Sequence, residues 1–133
     1  MNVRTYHPDG AAPSPTQIFV FGSNLSGLHG AGAAKAAHRL YGAEWGRAEG
    51  PSGRTYAIPT VGARISGPLS VDEIAESVAR FVRFAQDRPL WTFLVTRVGC
   101  GLAGHKDSDI APLFAQAPAN CSLPEPWREF VEP

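Results

Sequence analysis

Apolar and polar positions divide the chain into three strand-like runs alternating with three helix-like segments. Gln17-Ile18-Phe19-Val20-Phe21 is a continuous β-branched and aromatic run stopped by Gly22, the pattern of a central strand covered on both faces. Ala31 to Leu40 is alanine-rich and helix-tolerant, with Gly42 as its stop and Lys35, His38 and Arg39 toward the negative end of the helix dipole. Thr55-Tyr56-Ala57-Ile58 predicts a second strand ended by Pro59. Ser70-Val71-Asp72-Glu73 has the form of a capping box. Behind it Val71, Ile74, Ala75, Val78, Val82 and Ala85 recur at the spacing of one buried helical stripe, ended by Arg88-Pro89. Trp91 to Val98 predicts the third strand. Asp107, Ser108 or Asp109 then caps a short helix carrying Ile110, Leu113 and Phe114, with Pro112 tolerable only in its first turn.

Flanking segments are richer in proline. Residues 1–16 hold Pro8, Pro13, Pro15 and the turn signal Asp9-Gly10, and predict a surface leader with a short extended stretch at Val3 to Tyr6. Residues 118–133 contain four prolines and Trp127, and predict a tail folded back over the body. Trp45 to Gly53 predicts a loop. The order strand, helix, strand, helix, strand, helix implies a single α/β domain over residues 1–133 with a largely parallel sheet. In such sheets ligands sit beyond the carboxyl ends of the strands. Two glycine-rich loops follow directly from strands here, and they share one sheet edge if the first and third strands are neighbours.

Composition narrows the function classes. The 133 residues carry 12 Lys plus Arg and 12 Asp plus Glu, so no strong whole-chain attraction to nucleic acid or acidic membrane is expected. No apolar stretch approaches the roughly 18 residues of a membrane span, and none near Met1 reads as a secretory signal. Cys100 and Cys121 are too few for a disulfide framework, which points to a cytoplasmic protein with free thiols. With 14 glycines and 12 prolines, the loops carry much of the chain's character.

The first loop reads Phe21-Gly22-Ser23-Asn24-Leu25-Ser26-Gly27-Leu28-His29-Gly30-Ala31-Gly32-Ala33-Ala34. Small residues let backbone N–H groups approach a ligand, and the helix beginning near Gly30 to Ala33 offers free N–H groups to an anion. Gly99-Cys100-Gly101-Leu102-Ala103-Gly104-His105 repeats that logic. Two such loops facing one crevice suit a diphosphate with sugars on either side, whereas each alone reads as a tight turn. The P-loop and Rossmann glycine patterns fail: Lys35 is followed by Ala36, and a third Rossmann glycine would fall on Lys35. No C-x-x-C, H-E-x-x-H or clustered His/Cys/Asp set indicates a metal. The Asn24 amide both donates and accepts, which suits a ribose hydroxyl pair, or closes an Asx turn. His29 and His105 offer acid-base groups, Cys100 a nucleophile beside His105, and Arg97 a phosphate partner; each also has an ordinary structural reading.

At these residues a resemblance emerges. Ile18 to Ala37, with Phe21-Gly22-Ser23-Asn24 followed by His29-Gly30-Ala31-Gly32-Ala33-Ala34, resembles the first ligand loop of macrodomains. Those domains bind ADP-ribose, and many remove it from proteins or other acceptors. Leu94 to Gly104 resembles their second loop, closest to the branch whose strand ends in Arg-Ile-Gly-Cys-Gly-Leu, and Tyr56-Ala57-Ile58-Pro59-Thr60 fits their middle strand. From about residue 17 to 127 the chain is similar to a small phage- and bacteria-associated macrodomain-like group.

The resemblance implies a three-layer α/β/α sandwich with a mixed, largely parallel central sheet. It implies a partner, ADP-ribose or an ADP-ribosylated protein, with no cofactor, and hydrolysis of ADP-ribosyl ester links. Carried over by position, the ligand contacts would be Phe21, Gly22, Ser23, Asn24, Gly30, Ala31, Gly32, Ala33, Arg97, Gly99, Cys100, Gly101, Leu102, Ala103, Gly104 and His105, with Asn24 acting on the distal ribose. Three positions depart from the hydrolase patterns. Ala103 stands where that branch has an Asp after the Leu, Thr60 is followed by Val61 where it has a Lys, and the run Gly30-Ala31-Gly32-Ala33 lacks the acid of another class. A lysine-adduct route is therefore unsupported, and the implied mechanism is positional. An ADP-ribose reader without chemistry, a phosphatase of phosphorylated ADP-ribose and a hydrolase using Cys100 are the rival expectations.

Overall fold

The computed structural model describes residues 3–63 and 66–132, so the first two residues of the leader, the last residue of the tail, and Arg64-Ile65 lie outside the described residues. Its strands are β1 (Tyr6–His7), β2 (Gln17–Asn24), β3 (Gly50–Ser52), β4 (Thr55–Val61), β5 (Thr92–Val95) and β6 (Cys121–Pro124). Its helices are α1 (Gly32–Tyr41), α2 (Val71–Gln86), α3 (Asp107–Ile110) and α4 (Arg128–Val131), with 3-10 turns at Ala111–Phe114 and Glu125–Trp127. One six-stranded sheet has the order β1-β6-β5-β2-β4-β3. All neighbours are parallel except the β4–β3 pair.

The apolar runs work as the sequence predicts because their alternate residues face opposite layers. Val20, Tyr56, Ile58, Phe93 and Val95 join the larger core under α2, with Phe114 and Trp127. Phe19, Phe21, Ala57 and Leu94 face the other way, under Ala34 and Ala37 of α1. The result is helix, sheet, helix, a mixed and mostly parallel α/β sandwich. α1 buries only alanines, so its axis can lie close to β2. α2 starts on the predicted capping box, with Ser70 and Glu73 satisfying each other's backbone N–H groups. It buries Ile74, Val78, Phe81, Val82 and Ala85 along one stripe.

Several boundaries move, each for a local reason. β2 extends through Gly22 and Ser23 to Asn24 because β4 continues beside it. β4 passes through Pro59 rather than ending there. Pro59 lies beyond the last β4 residue paired with β3, where one flank is open and a missing N–H is tolerated. β5 stops early: the N–H and Oγ1 of Thr96 both bond the Val20 carbonyl, and Val98 N–H turns back to Thr96 at 2.7 Å. Residues 50–52, expected as loop, form β3. The proline-rich tail supplies a sheet strand, β6, flanked by β1 from the leader and by β5.

Candidate active-site cleft

β2 and β5 are adjacent and parallel, so the segments leaving their carboxyl ends meet. Between them opens a cleft of about 570 Å³. Its walls come from Gly22, Ser23 and Asn24 at the end of β2 and from Gly30 to Ala34 at the start of α1. Thr60 and Val61 at the end of β4 and the stretch Thr96 to Ala103 complete the sheet edge. Asp9 to Ala12 of the leader close one side, beside Phe19, Ala36 and Tyr41. One end is thus apolar and aromatic; the other carries Ser23, Asn24 and Thr60.

α1 begins at this cleft without a side-chain cap, on Ala31 in extended conformation. Its first N–H groups therefore lack intrahelical and side-chain partners. Across the cleft, the N–H groups of Gly101, Leu102 and Ala103 take no protein acceptor among the described residues. A Cβ on Gly22 would come within 3.2 Å of Thr60 Oγ1 and 3.7 Å of Gly99 N, so glycine keeps the three segments in contact.

Asn24 is 6% exposed, and the loop uses most of its amide. Its Oδ1 accepts from Ser26 N–H and Leu28 N–H, both at 3.1 Å, and its Nδ2 donates to Leu28 O at 2.7 Å. Both lone pairs are occupied, so Asn24 does not serve a hydroxyl pair as donor and acceptor; one amide hydrogen remains.

Arg97 is likewise committed. Its Nε and Nη2 grip Asp107 at 3.0 and 2.8 Å, and its Nη1 reaches Asp9 at 3.1 Å. Asp107 also accepts from Trp127 Nε1 at 2.7 Å. Burial alone would raise the Asp107 carboxyl, but hydrogen bonds from Arg97, Trp127 and Cys100 outweigh it and hold the group below the usual carboxylate range. Burial, followed by the hydrogen bond and charge of Asp107, pushes the Cys100 thiol up to about 12. Arg97 is the only cation lining the cleft among the described residues, and two carboxylates face it.

Three of the expected site residues lie elsewhere. Phe21 is fully buried under α1 and meets His29 edge-on. Gly104 closes a turn onto Gly101 O. His105 donates from Nε2 to Leu69 O at 2.7 Å, which takes it away from Cys100 and the cleft. The others expected, from Gly22 through Ala103, do line it. The leader wall and Tyr41 had no local sequence signal, since only tertiary packing brings them to the loops. No group of three or more His, Cys, Asp or Glu among the described residues is placed to hold a metal.

No protein-family model matches the chain, and no curated protein matches it. Solved structures do. The macrodomain of Mycobacterium tuberculosis DarG aligns over 92% of this chain and 97% of its own, with a TM-score of 0.68 and 17% identity. The chain has the macrodomain fold. A protein of unknown function from Bacteroides thetaiotaomicron shares it with a TM-score of 0.59 and 16% identity over 92% of this chain and 98% of its own. Thermosipho africanus DarTG, solved in complex with ADP-ribose, matches with a TM-score of 0.56 and 15% identity over 84% of this chain and 39% of its own. No helix of this macrodomain fold, among the described residues, is long and apolar enough to cross a membrane.

Proposed function

We propose that the chain binds ADP-ribose in this cleft and hydrolyses ADP-ribosyl ester links on proteins. The observation that carries the binding is the pairing of an uncapped helix start with a facing run of free N–H groups. Backbone donors and a helix N-terminus suit a diphosphate. The aromatic end at Phe19 and Tyr41 fits the adenine side, and the polar end at Ser23, Asn24 and Thr60 fits the distal ribose. The complex of Thermosipho africanus DarTG with ADP-ribose supports the choice of ligand.

Ester links are the acceptor class this cleft suits. Water attacks the anomeric carbon, the bond from that carbon to the acyl oxygen breaks, and the acceptor leaves as a carboxylate. Such a leaving group, with a pKa near 4, needs no general acid. The proton of the attacking water passes through a phosphate oxygen to solvent. The protein supplies position and the backbone donors, and Asn24 contributes by fixing residues 26–28 and by its one remaining amide hydrogen. Among the described residues lining the cleft, the one carboxylate, Asp9, is paired with Arg97, and this lack of a free base favours a second reading, an ADP-ribose reader without turnover.

Calorimetry with ADP-ribose, beside a release assay on ester-linked ADP-ribosylated protein, separates these. Binding with release supports the hydrolase, binding alone the reader, and no binding overturns both. Gly101→Glu tests the placement: its Cβ meets open space, so the fold should hold while the carboxylate repels the diphosphate and abolishes binding. Asn24→Ala should lower turnover by on the order of tenfold to a thousandfold. It should lower affinity less. Normal turnover in that variant would leave Asn24 with the loop alone.

A further inference from the structure

Beside the cleft, sharing Gly30 with it, lies a second depression lined by His29, Gly30, Lys35, His38, Arg39 and Trp45. Lys35, His38 and Arg39 stand at i, i+3 and i+4 of α1 and so project from one helix face. The lining contains no acidic residue, and neither Lys35 nor Arg39 has an ion-pair partner among the described residues.

Two imidazoles are fixed there by successive carbonyls of one turn. His38 Nδ1 lies 2.8 Å from Ala43 O, and His29 Nε2 lies 2.9 Å from Glu44 O. A carbonyl only accepts, so each of these nitrogens carries the hydrogen. The atoms left for another partner are His38 Nε2 and His29 Nδ1. His29 is 2% exposed, and its Nδ1 is buried without a hydrogen-bond partner. Trp45 meets both rings edge-on, with centroids 5.9 Å from His29 and 5.3 Å from His38. His29 Nδ1 has no surface open to the depression, whereas the exposed His38 ring leaves its Nε2 available there.

We infer that this depression is a phosphate-binding subsite. Lys35 and Arg39 supply charge-assisted donors to phosphate oxygens. Between His38 Nε2 and a phosphate oxygen one proton suffices, and either atom can carry it, so the bond forms with the ring neutral or protonated. The phosphoryl group belongs either to an extended ligand passing over Gly30 from the main cleft or to free inorganic phosphate. The first source rests on the ADP-ribose reading; the second does not.

The test is a titration of the full chain, labelled with nitrogen-15, with inorganic phosphate at constant ionic strength. Saturable shifts of the His38 ring nitrogens and the Trp45 indole N–H are expected. In a Lys35→Gln, Arg39→Gln double variant the phosphate affinity should fall by on the order of tenfold or more. Both side chains are exposed, so the fold and the affinity for plain ADP-ribose should be unchanged. Shifts that persist when ADP-ribose itself fails to bind would leave the subsite standing and remove the function proposed above. An ADP-ribose derivative with a third phosphate that gains affinity over ADP-ribose only in the unaltered chain assigns the extended ligand; no gain, with the shifts intact, assigns free phosphate. Non-saturating shifts, equal shifts with chloride, equal affinity in the double variant, or shifts produced by zinc but not by phosphate would overturn the inference.

Discussion

Cys100 brings a thiol to the wall of the cleft, where its surroundings work against ionisation. Burial and the Asp107 carboxylate push it up to about 12, against about 8.5 for an ordinary thiol. The thiolate, not the thiol, is the nucleophile. Cys100→Ala should therefore keep turnover within about threefold of the unaltered chain. Release kinetics that fall to background with ADP-ribose binding intact would reinstate a thiol mechanism. Asp107 shows the opposite displacement, held low by Arg97, Trp127 and Cys100. A carboxylate whose folded pKa is depressed contributes stability above its unfolded value, and that contribution is lost as pH falls through the folded one. Urea denaturation from about pH 5 down to pH 2 should thus show an acid-side loss that is smaller in Asp107→Asn, which is less stable at neutral pH. Parallel curves for the two proteins would mean that Asp107 contributes nothing ionic to the fold.

At the scale of elements, one backbone crossing ties the first loop to the turn at 44–47. Gly27 has φ +68°, its carbonyl accepts from Gly46 N–H at 2.9 Å, and a Cβ there would sit 2.3 Å from Gly46 C. Gly27→Ala combines left-handed strain with a backbone clash and should cost about 2–4 kcal/mol. A denaturation midpoint within error of the unaltered protein would show that the turn at 44–47 is free to move. This crossing also marks where the sequence stops being legible. The capping box at Ser70, the stripe of α2 and the doubly buried run of β2 depend on contacts within a few residues, and the pattern displays them. The passage of β4 through Pro59 depends on β3 ending early, and the proline-rich tail becomes β6 only because β5 and β1 lie beside it. The glycine loops could be read because small residues are visible as such. That Asn24 spends its oxygen on Ser26 and Leu28, and Arg97 its guanidinium on two carboxylates, are tertiary facts.

Over the whole molecule, formal charge sums to zero, and the main cleft follows that balance locally. Arg97, the one cation lining it among the described residues, is flanked by Asp9 and Asp107, which leaves no described positive side chain there unpaired to face a diphosphate. Among the described residues, attraction comes from backbone N–H groups and the α1 N-terminus, short-range partial charges that act only on contact. Salt screens charges separated by more than a Debye length far more than donors in direct contact. ADP-ribose affinity should accordingly change by less than about threefold between 50 and 500 mM sodium chloride, where a lysine or arginine clamp on the same dianion would lose on the order of tenfold or more. The basic depression beside it should behave in the opposite way, because Lys35 and Arg39 are exposed and unpaired. Calorimetric titrations at both salt concentrations, with ADP-ribose for the cleft and inorganic phosphate for the depression, read the two sites separately in one protein. A steep loss of ADP-ribose affinity with salt would mean that Arg97 leaves Asp9 or Asp107 to meet the ligand, and the backbone account of the cleft would have to give way.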